Sequence, residues 1–162
     1  MKRNTVQHLA LSAVFAAIIC VTTMYLLHIP IGNGYVHLGD TFVYLAGAFL
    51  PWPYAMAAAG IGSGLADLLS GAPQWIVFTV VIKAAMAACF TSRKDTVLCL
   101  RNVLASVGAG VVCIVGYYFA EWKICGNPLI GMGSLMQSGG GAVLFLFLGL
   151  ALDRAQIKKR LK

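Results

Sequence analysis

The sequence predicts an all-α integral membrane protein, a compact six-transmembrane-helix bundle with both termini cytoplasmic, and three observations carry that prediction. The first is composition: 60% of the 162 residues are hydrophobic and only 10% are charged, with a mean hydropathy of +0.85. Soluble domains carry about 25% charged residues, and a chain this short has too little interior to hide so much apolar surface, so its solvent is lipid. The second is segmentation into apolar runs bounded by proline, glycine and charge. The third is the position of the basic residues, which gather at the ends of those runs.

Taken in order, the runs cover approximately 5–27, 40–51, 53–70, 73–91, 101–121 and 129–152. Lys2 and Arg3 precede the first, as in a signal peptide, but the apolar stretch from Val6 to Leu27 is too long for a signal core and suits a span. Ile19 before Cys20 argues against a lipoprotein cleavage site. The second run is short for a crossing; either it is tilted or the preceding loop "IGNGYVHLGD" folds into the protein to complete it. Pro51-Trp52-Pro53 separates the second run from the third, and Gly71-Ala72-Pro73 the third from the fourth.

The positive-inside rule tests the count. Lys2, Arg3, Arg93, Lys94, Arg101, Arg154, Lys158, Lys159, Arg160 and Lys162 all fall inside with six spans, leaving Lys123 outside and Lys83 within one. Five spans would put the basic tail on the wrong side. The tail 153–162 reads as a topology anchor on a short helical extension, or as a contact for anionic lipid. One membrane domain covers 1–162.

Several function classes are disfavoured. A net charge of +7 would suggest nucleic acid if it formed a patch on a soluble domain, but here it marks topology, so no nucleic-acid partner is expected. The five cysteines form no CxxC pair and lie mostly in apolar runs, which gives no disulfide framework and no metal site. No GxxxxGK[ST] loop and no HExxH motif are present, so no catalytic residues and no cofactor are assigned.

What remains unexplained is charge inside oil. "QWIVFTVVIKAAMAACF" carries Lys83 at its middle, and "GIGSGLADLLSG" carries Asp67. A charge at the bilayer centre costs roughly 2.5–3.5 kcal/mol on insertion scales. The predicted topology places most polar residues at the outer ends of the helices: His28, Asn33, Tyr35, His37 and Asp40 in the first outer loop, and Asp67 below the end of the third span. Gln74 and Trp75 open the fourth span, with Lys83 about 13 Å deeper. Glu121 and Trp122 close the fifth, Asn127 leads into the sixth, and Gln137 lies about two turns inside it. A polar recess open to one face describes a binding pocket, since a channel needs polar lining in both halves.

The candidate substrate-binding set is therefore Lys83, Asp67, Trp75, Gln74, His37, Asp40, Glu121, Asn127 and Gln137. Each has a plainer reading. Asp40 suits a helix N-cap as well as a ligand contact, and His37 a solvated loop position. Asp67 and Lys83 suit a structural ion pair, and Trp75 and Trp122 suit interfacial aromatics or a platform for a flat ligand. Gly60 and Gly64, at i and i+4, let a neighbouring helix approach; "SGGGAV" does likewise or breaks the sixth helix. In "LALSAVFAAIICV", Ala13 and Ala17 make a small-residue ridge suited to packing within the bundle or against another subunit.

Together these residues resemble the substrate-binding S components of energy-coupling factor (ECF) vitamin transporters. The resemblance spans nearly the full length: six helices, basic cytoplasmic ends, "ALSAVFAAI" matching an AxxxA first helix, and "YVHLGDTFVYLAGAFL", "GIGSGLADLLSG" and "VVIKAAM" resembling the region of the vitamin and vitamin-precursor subfamilies. It implies a capture subunit in the bacterial plasma membrane, partnered by a transmembrane coupling (T) subunit and two cytoplasmic ATPases. Ala13 and Ala17 would contact the coupling subunit, and about Ile31 to Asp40 would form a lid. The polar inventory, lacking a basic cluster for a polyanion, favours a small, flat, weakly charged heterocycle. Thiamin pyrimidine precursors, pyridoxine-type compounds and queuosine precursors all fit. The alternative is a self-sufficient proton-coupled carrier using Asp67 and Lys83.

Overall fold

The computed structural model describes residues 3–25, 29–31, 34–126 and 131–160. In order the chain forms α1 (Arg3–Tyr25), a hairpin of β1 (Ile29–Ile31) and β2 (Gly34–Val36), α2 (Asp40–Phe49) and α3 (Trp52–Leu69). A 3-10 turn, Pro73–Trp75, leads into α4 (Ile76–Ala88), followed by α5 (Leu100–Cys125), α6 (Gly131–Arg154) and the short α7 (Ile157–Arg160). Segments within α1, α5 and α6, namely Thr5–Tyr25, Leu100–Cys125 and Gly133–Arg154, are long and apolar enough to cross a membrane; Pro73–Ala88 is a shorter apolar helix. Their outward faces carry bare apolar side chains such as Val14, Val107, Val111 and Phe147, as a lipid solvent requires.

The short second run has a physical explanation. Ten residues of α2 rise about 15 Å, half of a hydrocarbon core about 30 Å thick. Eight of the ten are buried, and α2 packs against α1, α3, α4 and α6. A helix apolar all round belongs inside a bundle, and here the other helices wall it off. Pro51 stops it, and Pro53 sits in the first turn of α3, where a missing N–H costs nothing. The preceding loop contributes the antiparallel hairpin, with Ile29 opposite Val36 and β2 against α6.

Glycines set the helix spacing. A Cβ built at Gly62 would stand 2.5 Å from the Ala16 carbonyl oxygen, and one at Gly64 2.7 Å from a Val80 methyl, so α3 lies backbone-close to α1 and α4. The run Gly139–Gly141 does not break the sixth helix: α6 is continuous through it. Gly141 instead admits the first turn of α2, whose Thr41 hydroxyl donates to the Gly141 carbonyl at 3.2 Å.

Short connections between successive helices gather the ends into two sets. At one end lie the hairpin, the start of α2 and the α3–α4 turn. At the other, the α4–α5 connection is tied down by side chains. Asp153 accepts from the Val97 and Leu98 amides at 2.6 and 2.9 Å, and the Asn102 side-chain amide bonds Thr91 and Val97. Lys158, expected in a solvated tail, is buried: it donates to the Thr96 carbonyl at 3.3 Å and lies over the Phe49 ring. Arg93, Lys94, Arg101, Arg154, Lys159 and Arg160 remain exposed around it.

Gly62→Ala is expected to destabilise the protein by about 1–3 kcal/mol, because helices already in backbone contact must separate. Gly108→Ala, with nothing within 4 Å of its added methyl, is expected to be neutral or stabilising by up to about 1 kcal/mol. Unfolding of both variants in one detergent checks the pair.

Candidate functional site

The site begins at the N-terminus of α2. The expectation that Asp40 caps this helix is corrected: Gly39 holds the N-cap position without a side-chain cap, and Asp40 is the first helical residue. Its carboxylate turns inward instead, near helix amides whose dipoles favour a negative charge. Oδ1 accepts from Lys83 Nζ at 2.5 Å, and both side chains are wholly buried. Oδ2 accepts from Gln137 Nε2 at 2.9 Å, with the Cys113 thiol at 3.7 Å. One carboxylate thereby joins α2, α4, α5 and α6.

This overturns the pairing suggested by the two intramembrane charges. Lys83 is held by Asp40 rather than Asp67, so an Asp67–Lys83 proton exchange loses its pair. The physical reason lies in depth and register. Lys83 sits two turns below the start of α4, level with the first turn of the buried short helix, whereas Asp67 lies near the end of α3 beside the α3–α4 turn. There its backbone carbonyl accepts from the Ala72 amide at 2.9 Å.

A second wall stands between α3, α4 and α5. Lys83 Nζ lies 5.1 Å from the centroid of the Tyr117 ring, and the Tyr117 and Thr79 hydroxyls are hydrogen bonded at 3.2 Å. Trp75 packs against Tyr117 with ring centroids 6.3 Å apart. Glu121, one turn beyond Tyr117 on α5, is buried, as is Asp67, which lies within electrostatic reach of Tyr117. His37 is buried beside the α2 N-terminus; its Nδ1 accepts from the Gly39 amide at 3.0 Å, which makes the ring neutral.

Of the nine expected site residues, Asp40, Lys83 and Gln137 are in direct contact, His37 adjoins Asp40, and Asp67, Trp75 and Glu121 surround Tyr117. Gln74 is not brought in: it is exposed, since the turn that points Trp75 inward points its neighbour out. Asn127, like His28 and Asn33, lies outside the described residues. Trp122 is exposed, under Lys123. Sequence reasoning missed Thr79, Cys113 and Tyr117. A signal existed: Cys113, Tyr117 and Glu121 recur at i, i+4 and i+8 on one stripe of α5. Among the described residues no group of three His, Cys, Asp or Glu side chains is placed to hold a metal ion. The arrangement suits holding a ligand through hydrogen bonds, charge and aromatic faces.

Ala13 and Ala17 are both exposed on α1, away from this site.

Lys83→Met is expected to cost about 3–5 kcal/mol of stability, since it leaves the Asp40 carboxylate buried without its cation. Asp40→Asn combined with Lys83→Met removes both charges and is expected to recover most of that loss, read as unfolding midpoints of the single and double variants. A double variant no more stable than the single one refutes the pairing.

Comparison with known proteins agrees with this architecture. A protein described as "Uncharacterized protein in gap 3'region" from Pyrococcus woesei is 33% identical over 134 residues, covering 76% of this chain and 90% of its own length. The family model of the ECF-type riboflavin transporter S component matches residues 3–154. With all seven helices wholly or partly inside that match, the chain belongs to the ECF-type riboflavin transporter S component family, whose members are membrane-embedded substrate-binding subunits of transporters rather than enzymes.

Proposed function

We propose that this chain captures a small, flat, vitamin-like heterocycle at the hairpin end of the bundle and hands it to an ATP-driven ECF importer in the bacterial plasma membrane. The observation that carries the reading is the fully buried Asp40–Lys83–Gln137 set at the foot of the hairpin. Three helices each contribute one polar group to a single point in an apolar interior. Such groups are expensive in lipid and mark a ligand site by default. In the proposed topology the helices cross six times as one membrane domain, with both termini at the basic end inside. The short α2 is enclosed by the others, and the hairpin lies outside as a lid.

The matched family is named for riboflavin, which joins thiamin pyrimidine precursors, pyridoxine-type compounds and queuosine precursors as candidate cargo. Coupling runs through α1. Ala13 and Ala17 present a small-residue ridge on which a coupling subunit, with its two ATPases, can seat closely. Release follows from reorienting the site towards the inside, with no covalent chemistry.

Mass spectrometry of small molecules carried through purification in mild detergent tests capture. A near-stoichiometric heterocycle is expected with the wild type and lost with Asp40→Asn combined with Lys83→Met. A wild type that stays empty after growth with the candidate vitamins overturns the reading. Ala13→Leu with Ala17→Leu is expected to abolish co-purification with the coupling subunit while changing ligand affinity less than about twofold; an intact complex removes α1 as the docking helix.

A further inference from the structure

The buried charges at the hairpin end do not cancel. Among the described residues the buried formal charges are those of Asp40, Asp67, Glu121, Lys83 and Lys158. Lys158 is at the opposite end, bonded to the Thr96 carbonyl. Lys83 is committed to Asp40, and His37 is neutral because its Nδ1 accepts a hydrogen bond. Asp67 and Glu121 therefore bring two negative charges to the Trp75–Tyr117 wall, with no buried cation left among the described residues to balance them. Carboxylates buried in an apolar interior demand a counter-charge.

A second observation marks the same wall. Trp75 is 6% exposed, and its indole Nε1 is buried with no acceptor among the described residues. A buried indole N–H ordinarily finds a partner. Its ring and that of Tyr117 supply aromatic faces, which attract organic cations.

We infer that the cargo is a cationic flat heterocycle, carrying a protonated amine or quaternary ring nitrogen between Asp67 and Glu121 and offering a ring acceptor to Trp75 Nε1. This rests on the capture reading and narrows it: a neutral flavin leaves both carboxylates without a counter-charge. Specificity then belongs to the Trp75–Tyr117 wall, while the Asp40–Lys83 pair, already neutral, anchors the helices beneath it.

The test titrates the purified full chain, in detergent, with two cations, thiamin and pyridoxamine, and two compounds without net charge, riboflavin and pyridoxine. Pyridoxamine and pyridoxine differ mainly by an ammonium in place of a hydroxyl, so their ratio reports charge. At least tenfold preference for a cation is expected. Asp67→Asn and Glu121→Gln are each expected to weaken cation binding at least tenfold while preserving the unfolding midpoint of the empty protein. Tightest binding of riboflavin or pyridoxine, or cation affinities indifferent to both substitutions, overturns the inference and leaves capture standing. Should none of the four bind, the charge of the compound carried through purification decides: a cation supports the inference and a neutral or anionic compound overturns it. An empty protein that binds none of them overturns capture and the inference together.

Discussion

A lysine ammonium bonded to an aspartate carboxylate inside an apolar bundle constrains everything around it. Moving either charge alone out of water costs several kcal/mol, so each must find the other and every remaining polar atom must be engaged. The geometry meets these demands in order. Asp40 sits at the N-terminus of α2, where helix amides stabilise its charge; Gln137 takes the second carboxylate oxygen; the Tyr117 ring faces the ammonium. The shortness of α2 follows, because a helix starting at the surface would put Asp40 in water rather than level with Lys83. Gly141 follows too, since a side chain there would hold the first turn of α2 away from α6.

The two ends of the bundle use polar groups differently. At the basic end they hold chain to chain: Asp153, Asn102 and Lys158 satisfy backbone amides and carbonyls of the α4–α5 connection, and the other basic side chains stay exposed. At the hairpin end they point inward, several are charged, and one buried indole N–H has no acceptor among the described residues. Stability alone explains the first pattern. The second is costly unless something else enters, which is what a capture subunit of this family requires.

Much of the fold was legible in the sequence because lipid is an unforgiving solvent. It forces long apolar helices and drives charge to their ends, and both leave marks in composition and order. The six runs beginning near residues 5, 40, 53, 73, 101 and 129 have helical counterparts starting at Arg3, Asp40, Trp52, Pro73, Leu100 and Gly131. The close-packing role of Gly60 and Gly64 was legible in their spacing, and the structure adds Gly62 against α1. The site was legible as a list and not as a geometry. Gln74 and Trp75 are neighbours with opposite fates, and Cys113 passed as an inert thiol although it touches Asp40.

By itself the sequence determined the solvent, the helical class, the family resemblance and the inventory of intramembrane polar residues, because each depends on local composition and spacing along one segment. Only the tertiary structure decided that Lys83 meets Asp40 and not Asp67, that Asp40 is a buried ion and not a cap, and that Gly139–Gly141 lets a helix pass rather than breaking one. The reason is sequence distance. Asp40 and Lys83 are 43 positions apart and Asp40 and Gln137 are 97, so their meeting depends on how far each helix is inserted beside the others. Hydropathy measures whether a segment enters the bilayer; packing sets its depth and rotation, and these two quantities choose the partners of a buried charge.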